Sequence, residues 1–513
     1  MNEHSSDKIE PPEREAEDVP IAEKSPLSRW KPQLQKLAWP LHARFPNFVP
    51  NPFGDERDYF RKRDAEDNEE TQIDEGVKLN LACISVSEIF GPNEVDSLYT
   101  GLEKLGWDKD RWLMGESNVS WLKEQRLYGS EGTLPLGWVH RAEDMKKYVN
   151  VRYTADFPQE FSSLLVNISQ VTPSVTCMTI GFILTDESSM EYSNAIAEPR
   201  KTTRFPKRGS RSYQIKSVEH MKEDAVGELR QKYRELGISW ITKFFAGFFA
   251  QQCERSHFPS TELLILEGFM PFDKEPNQGK SWKHWARFVN IDSAHGSWVS
   301  TTTPSLRFSF ETNRRNRLPN HITAALRWDG LSEEDTKFND GKTLGSRAYF
   351  VNERLAGIAT KHALGSYLRE ILRGIKEVRQ SLASDIDANG SNAGAKQINA
   401  YFLRNIGVPA IAREALELSK NDSSFRWNVS GFTEQSLSTQ KEPYDITKGL
   451  KYMLGQLATR LLDEDRDTRE LLNQLSSAMG TKESIFSQRR MEFVTVIALA
   501  VSLVSLLVSF ASK

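Results

Sequence analysis

Two tripeptides in this chain carry the residue types of a phosphate cradle, Gly279-Lys280-Ser281 and Gly341-Lys342-Thr343. A phosphate-wrapping loop also needs a glycine five positions before its Gly-Lys, so that successive backbone N–H groups converge on the anion. Those positions hold Lys274 and Thr336, so neither tripeptide reads as a nucleotide site. No Gly-x-Ser-x-Gly elbow is present to expose a nucleophilic serine. No His-Glu-x-x-His exists, and the nine histidines have no metal-ligand spacing. Asp186 and Glu187 end an apolar strand, and Asp292 and His295 flank another strand end. Carboxylates so placed do acid–base chemistry in some proteins and cap turns in many more. No catalytic residue, metal ligand or cofactor is assigned, and the chain reads as non-catalytic.

The strongest cluster of like-charged side chains in the aqueous part is Arg200, Lys201, Arg204, Lys207, Arg208 and Arg211, among Pro199, Pro206 and Gly209. Its attraction to anions survives within a Debye length of about 8–10 Å. Formal net charge over all 513 residues is only −3, so the molecule as a whole does not declare a nucleic-acid partner. Anionic lipid headgroups are the expected partner of this segment.

That expectation follows from the far end of the chain. Phe493 to Phe510 contains no charge, proline or glycine. Eighteen residues of helix rise ~27 Å, close to the ~30 Å hydrocarbon core of a bilayer. Arg489 and Arg490 precede the run, and Lys482 lies further upstream. Residues 491–512 are therefore expected to form one transmembrane helix, with the N-terminal bulk cytoplasmic. The acidic, apolar-poor N-terminus is no signal peptide. Three widely spaced cysteines, Cys83, Cys177 and Cys253, suit a reducing compartment. Within the span, Thr495, Ala498, Ser502, Ser505 and Ser509 recur at steps of three and four, so the small and weakly polar groups share one side. Such a stripe lets helices approach closely in lipid, unless each hydroxyl bonds its own backbone.

The elements between these ends read as α+β. Residues 1–75 are expected to be a largely disordered arm with a Pro- and aromatic-rich segment at 30–60. Residues 76–352 read as a cytoplasmic α+β domain with a mixed sheet. VKLNLACISV and SVTCMTIGFILTDE read as strands, the second buried on both faces. A helix opens after Gly91-Pro92 and ends at Gly106. Residues 158–170 read as a helix, and 238–250 as an aromatic core helix. Short runs from Thr261 onward, including WARFVNID, SLRFSFE and ITAALRW, read as an antiparallel meander, which RAYFVN (347–352) would close. Residues 353–490 read as a helical stalk. Leu364, Leu368, Ile371, Ile375, Val378 and Leu382 make one seam, and Leu450, Leu454, Leu457 and Leu461 another, lapsing at Glu464 and Thr468. A break is expected over 384–394, a helix over 395–419, and a further break or rotation at Gly480.

The expected function is a membrane-tethered binding or sensor protein that self-associates through its C-terminal helices. One alternative is an oligomeric membrane effector whose clustered spans permeabilise or conduct. Another is a membrane-anchored enzyme with an unrecognised site. Liposome flotation of the region before the span tests the headgroup reading. Stronger flotation with anionic than with neutral vesicles is expected, and equal flotation contradicts it.

Overall fold

The computed structural model describes Ala38, Leu41 and residues 57–511, apart from 110–116, 130–131, 147–151, 207–212, 274–281, 311–317, 333–341, 390, 423–424, 426–428, 430 and 436–442. Of the expected N-terminal arm, residues 1–56 lie outside the described residues except for Ala38 and Leu41, and residues 57–70 form a helix. The chain divides into two units, Met1–Glu66 with Lys201–Ser217, and Asp67–Arg200 with Val218–Lys513.

In chain order the elements are α1 (Arg57–Glu70), β1 (Lys78–Phe90), α2 (Val95–Lys104), α3 (Asn118–Tyr128), β2 (Gly132–His140), β3 (Tyr153–Thr154), β4 (Phe161–Thr172), β5 (Val175–Leu184) and α4 (Asp186–Ala197). There follow β6 (Thr203–Pro206), β7 (Tyr213–Lys216), α5 (Val218–Phe244), α6 (Phe248–Gln252), β8 (Ser260–Glu267), α7 (Trp282–Phe288), β9 (Ser297–Ser300), β10 (Leu306–Phe310) and β11 (His321–Arg327). The last are α8 (Leu344–Asn389), α9 (Ser391–Arg404), α10 (Val408–Lys420), β12 (Phe432–Glu434) and α11 (Ile446–Ala511). In the smaller unit, β6 and β7 pair antiparallel, and the Asp64 carboxylate accepts from Thr202 N and Oγ1.

The larger unit is built on a ten-stranded mixed sheet of order β12-β9-β10-β11-β8-β1-β5-β4-β2-β3. Thus the strand-rich stretches on either side of α5 share one sheet. β8 and β11 run parallel, as do β2 and β3. All ten residues of β5 are buried, as its unbroken apolar run requires. On one face α5 lies close, and a side chain at Gly237 would meet Phe182 at 2.9 Å and Val86 at 3.4 Å. On the other face Cys83, Ser85, Thr179, Thr261 and Leu263 meet Ala348, Val351, Leu355 and Ala359 of α8.

Between α5 and the parallel strands sits a dry ion pair. Arg230 Nε lies 2.7 Å from Glu262 Oε2, at side-chain exposures of 1% and 0%. The β8–β11 register sets Thr323 beside Glu262 and His321 beside Ser260. Thr323 Oγ1 donates to Glu262 Oε1 (3.0 Å), and Ser260 Oγ and His321 Nδ1 share a hydrogen bond of 2.8 Å. Burial opposes the Glu262 charge, but Arg230, His321 and Thr323 together hold its carboxyl below the usual range.

The C-terminal third is helical, as expected, but its seams close on one another inside the chain. Leu364, Leu368 and Ile375 of α8 and Leu450, Leu454 and Leu461 of α11 are buried in one core with α10. The lapse in the α11 seam is filled by polar contacts. Glu464 binds Lys376 Nζ (3.3 Å) and the Arg379 guanidinium (2.9 Å). Asp465 accepts from Tyr401 Oη (2.9 Å) and pairs with Arg469 (2.6 Å).

Several expectations are corrected. Residues 158–170 hold β4, not a helix, because apolar residues crowd both faces of a strand held between β2 and β5 and mimic a helical period. The first half of WARFVNID is the end of α7, where Trp285, Ala286 and Phe288 turn inward. RAYFVN is the start of α8, with Ala348, Val351 and Leu355 on its sheet-facing side. The break expected over 384–394 narrows to the boundary between α8, which runs to Asn389, and α9, which begins at Ser391. The helix expected over 395–419 is two helices, and Pro409 sits in the first turn of α10, where no N–H is needed. Gly480 interrupts nothing, because α11 is continuous over 66 residues. The helix α8 also crosses the boundary expected at 352/353.

Among the described residues no helix is long and apolar enough to cross a membrane. Side chains are described only to Ser505, so the expected span, Phe493–Phe510, runs past them.

Removing one partner of the buried pair strands the other. Glu262→Ala is expected to cost about 3–5 kcal/mol in chemical denaturation. Replacing both members (Arg230→Met with Glu262→Leu) is expected to recover most of that loss. Equal stability of Glu262→Ala and the wild type would show that the pair is not dry.

Candidate functional site

A cleft of about 420 Å³ opens where four segments meet: the turn before α2, helix α6, the middle of α8 and the α9–α10 turn. That volume falls in the ~300–1,000 Å³ range of small-ligand sites. Gly91 opens the first segment because a side chain there would meet Tyr367 Oη at 2.8 Å and Glu94 Oε2 at 2.9 Å. The short helix α6 is fixed from below by Glu88, the buried carboxylate near the end of β1. Its oxygens accept from the backbone N–H groups of Phe249 (2.8 Å), Ala250 (3.0 Å) and Ile89 (2.9 Å). The α9–α10 turn is held from both sides. Asn405 O accepts from Arg469 (2.6 Å), and Glu414 of α10 accepts from Ser174 N (2.9 Å) and Thr172 Oγ1 (2.7 Å) at the β4–β5 turn.

The polar groups of the cleft form a chain. Arg404 donates to Gln252 Oε1 at 2.7 Å, and Gln252 Nε2 donates to Glu94 Oε1 at 3.0 Å. Glu94 Oε2 accepts from Gly91 N at 3.1 Å. Glu370 is matched by His257 Nδ1 (2.8 Å) and Arg373 (2.7 Å). Cys253 Sγ lies 4.0 Å from Glu370 Oε2. Burial, with the Glu370 charge adding to it, pushes this thiol up to about 12, so it lines the cleft as a neutral group and not as a thiolate nucleophile. Burial also raises the Glu94 carboxyl above its ordinary range. Phe248, Tyr367, Ile371, Val408 and Ile411 supply an apolar wall. The arrangement can hold a small molecule with a polar end and an apolar body.

The residues singled out in the sequence lie elsewhere. Arg200 forms an ion pair with Glu198 at 2.5 Å, and its backbone is bracketed by the Asn68 amide. Lys201 is exposed. Arg204 lies on β6 with its side chain outside the described set, and Lys207, Arg208 and Arg211 lie outside the described residues. Thr495, Ala498, Ser502 and Ser505 all stand exposed on α11, and Ser509 belongs to that helix with its side chain outside the described set. Thr495 Oγ1 donates to Met491 O (2.7 Å) and Ser502 Oγ to Ala498 O (2.8 Å). These two hydroxyls are therefore spent within their own helix. Asp186 and Glu187 occupy the first turn of α4 behind the N-cap Thr185, where they complement the helix dipole. Neither they nor Asp292 and His295 line the cleft. Lys342 and Thr343 lie just before α8, and Thr343 Oγ1 accepts from Ser346 N (3.1 Å), an ordinary helix-start contact. Residues 279–281 and Gly341 lie outside the described residues. Among the described residues no three His, Cys, Asp or Glu side chains converge to hold a metal ion.

Glu94, Gln252, Glu370 and Arg404 come from four distant segments, and none sits in a recognisable motif. The one local signal was Gly374, a glycine inside the α8 seam. Compared with known proteins, the chain matches no family model, no curated protein and no solved structure.

Burial lifts the Glu88 carboxyl from 4.5 to about 8, against the pull of its three N–H donors. The folded state therefore holds a proton that the unfolded state has released over that window. Stability is expected to fall as pH rises from about 4.5 to about 8. Glu88→Gln is expected to flatten that fall in thermal melts, and an unchanged pH slope would contradict the assignment.

Proposed function

We propose that this chain is a binding protein tethered to a membrane by the far end of α11, with the sheet-bearing body on the aqueous side. The observation that supports it is the surface of α11 beyond the bundle. Phe493, Val494, Val496, Ile497, Leu499, Val501, Leu503 and Val504 are 47–67% exposed. They cover the surface of the helix except for the stripe of Thr495, Ala498, Ser502 and Ser505, and an exposed apolar face that wide calls for a nonaqueous environment. Burying such a side chain is worth ~1.5–3 kcal/mol. Eight of them left in water forfeit on the order of 10–20 kcal/mol, comparable with the whole stability of a domain. Lipid removes that cost without a protein partner. The Thr495 and Ser502 hydroxyls leave no donor unmet, since each bonds the carbonyl one turn back, as lipid requires. Arg489 and Arg490, both exposed, mark the end of the helix that stays at the aqueous interface.

Self-association, if it uses α11, is confined to its distal half, because the upstream leucines are buried within the chain. Contact of the 200–211 basic segment with anionic headgroups is the second element of the proposal. The cleft is the place where the aqueous body binds a small molecule. The conducting alternative draws no support from Thr495 and Ser502, whose hydroxyls are already bonded.

Alkaline extraction followed by ultracentrifugation tests the tether. The full chain is expected in the membrane pellet, and a chain ending at Gly480 in the supernatant. Full-length protein that remains in the supernatant would contradict the proposal.

A further inference from the structure

Gly374 is the least explained residue of α8. It lies well inside a 46-residue helix, where glycine is disfavoured because its backbone loses the most freedom on folding. Two ordinary reasons for a helical glycine fail here. Its φ is not in the left-handed region, and a side chain built at Gly374 would meet no heavy atom within 4 Å. Gly365, nine residues earlier on the same helix, shows the contrast. A side chain there would meet Met453 Cε at 2.7 Å, so the space beside that glycine is already filled by a neighbour. Gly374 faces open space, and that space is the cleft. Its effect is to keep the cleft empty of protein.

The hydrogen-bond capacity left over in the cleft identifies what it takes. Both inner carboxylates are already served: Glu94 by Gly91 N and Gln252, Glu370 by His257 and Arg373. The guanidinium groups are not. Arg404 spends one hydrogen bond, on a neutral amide oxygen, and among the described residues its other donors find no acceptor. Arg373 spends one terminal nitrogen on Glu370, and its Nε stands 3.6 Å from the Glu377 carboxylate, which is 65% exposed. The capacity left over is donor capacity, on two guanidinium groups whose planar geometry matches an oxyanion. The rest of the wall is apolar, and the exposed Ile406 (71%) extends it to the rim.

We propose that this cleft binds a small amphiphilic oxyanion, an alkyl carboxylate or alkyl phosphate, with its head on Arg404 and Arg373. The tail lies on Phe248, Ile371, Val408 and Ile411, in the room that Gly374 leaves. The raised Glu94 carboxyl lessens the negative charge an incoming anion meets. This site does not depend on the tether, and the two fail separately. Loss of ligand binding with membrane retention intact bears only on the cleft.

Calorimetric titration of the full chain in lipid nanodiscs tests it, with octanoate, octyl phosphate, octylammonium and inorganic phosphate as probes. Saturable binding of octanoate or octyl phosphate at one per chain is expected, and the stronger of the two identifies the head group. Octylammonium and inorganic phosphate are expected to bind at least tenfold more weakly. A Cβ at Gly374 meets no neighbour and points into the cleft, so Gly374→Leu is expected to abolish saturable binding while the melting midpoint holds or rises. Partition of the probes into lipid is unaffected by that substitution and is subtracted by it. Arg404→Gln is expected to weaken binding at least tenfold with the fold intact. Octylammonium binding as tightly as octanoate, unchanged binding in Gly374→Leu, or no saturable binding of any probe would each overturn the proposal.

Discussion

The close approach of α8 to the sheet is the contact on which the rest of the larger unit hangs. Short side chains let a helix lie near a pleated surface. Here Cys83, Ser85, Thr179 and Thr261 face Ala348, Ala356 and Ala359, with Leu263, Val351 and Leu355 packed among them. A side chain added at Gly181 would already crowd Cys83 Sγ at 3.1 Å. The hydroxyls on this face are satisfied locally, with Ser87 and Thr179 sharing a bond of 2.8 Å, so the layer stays dry without orphaned groups. Over its second half the same helix leaves the sheet and becomes one wall of the bundle with α10 and α11. Sheet, cleft and C-terminal helix are thus referenced to a single rod about 70 Å long.

The buried ionisable groups deepen this picture. Glu262 lies beneath α5 and pairs with Arg230 of that helix, Glu88 lies beneath α6, and Glu370 lines the cleft, each a carboxyl group withdrawn from water and each given specific donors. Such groups rarely stabilise a fold beyond what apolar replacements would. They do make wrong packings expensive. Glu88 illustrates the point: two of its three N–H partners, those of Phe249 and Ala250, exist only if α6 starts at its observed position, and α6 in turn carries Gln252 into the cleft. Asn320, at φ +65, does the same work at the start of β11. Its side chain reaches both His257 O (2.9 Å) and Arg369 (3.0 Å), joining strand, loop and α8.

Much of the architecture was legible where periodicity was long and one-sided. The unbroken apolar run of β5, the helix ending at Gly106 (φ +67) and the Leu364–Ile375 seam all read directly. The failures share a cause. The strand β4 is covered on both faces, so its apolar residues lost the two-residue period that marks a strand. The first turns of α8 and the helix α7 are rich in aromatic residues, which resemble strand in a short window. Seams identify that a helix is packed but not against what, so α8 and α11 read as partners for other copies when they were partners for each other. The cleft was illegible because hydrogen-bonded neighbours such as Gln252 and Arg404 are separated by about 150 positions in sequence, and no spacing rule joins them. Gly374, a helix-interior glycine beside open space, faces the cavity.

The account rests on α11 carrying an aqueous body to a nonaqueous end as one unbroken helix. Nitroxide labels at Val496, Leu499 and Val504, with Glu470 as the aqueous reference, measure this directly by power-saturation EPR in reconstituted bilayers. The account predicts high collision rates with oxygen and low rates with a water-soluble nickel complex at the three distal labels, and the reverse at Glu470. If the distal labels meet the nickel complex as readily as Glu470 does, α11 ends in water and the account is wrong.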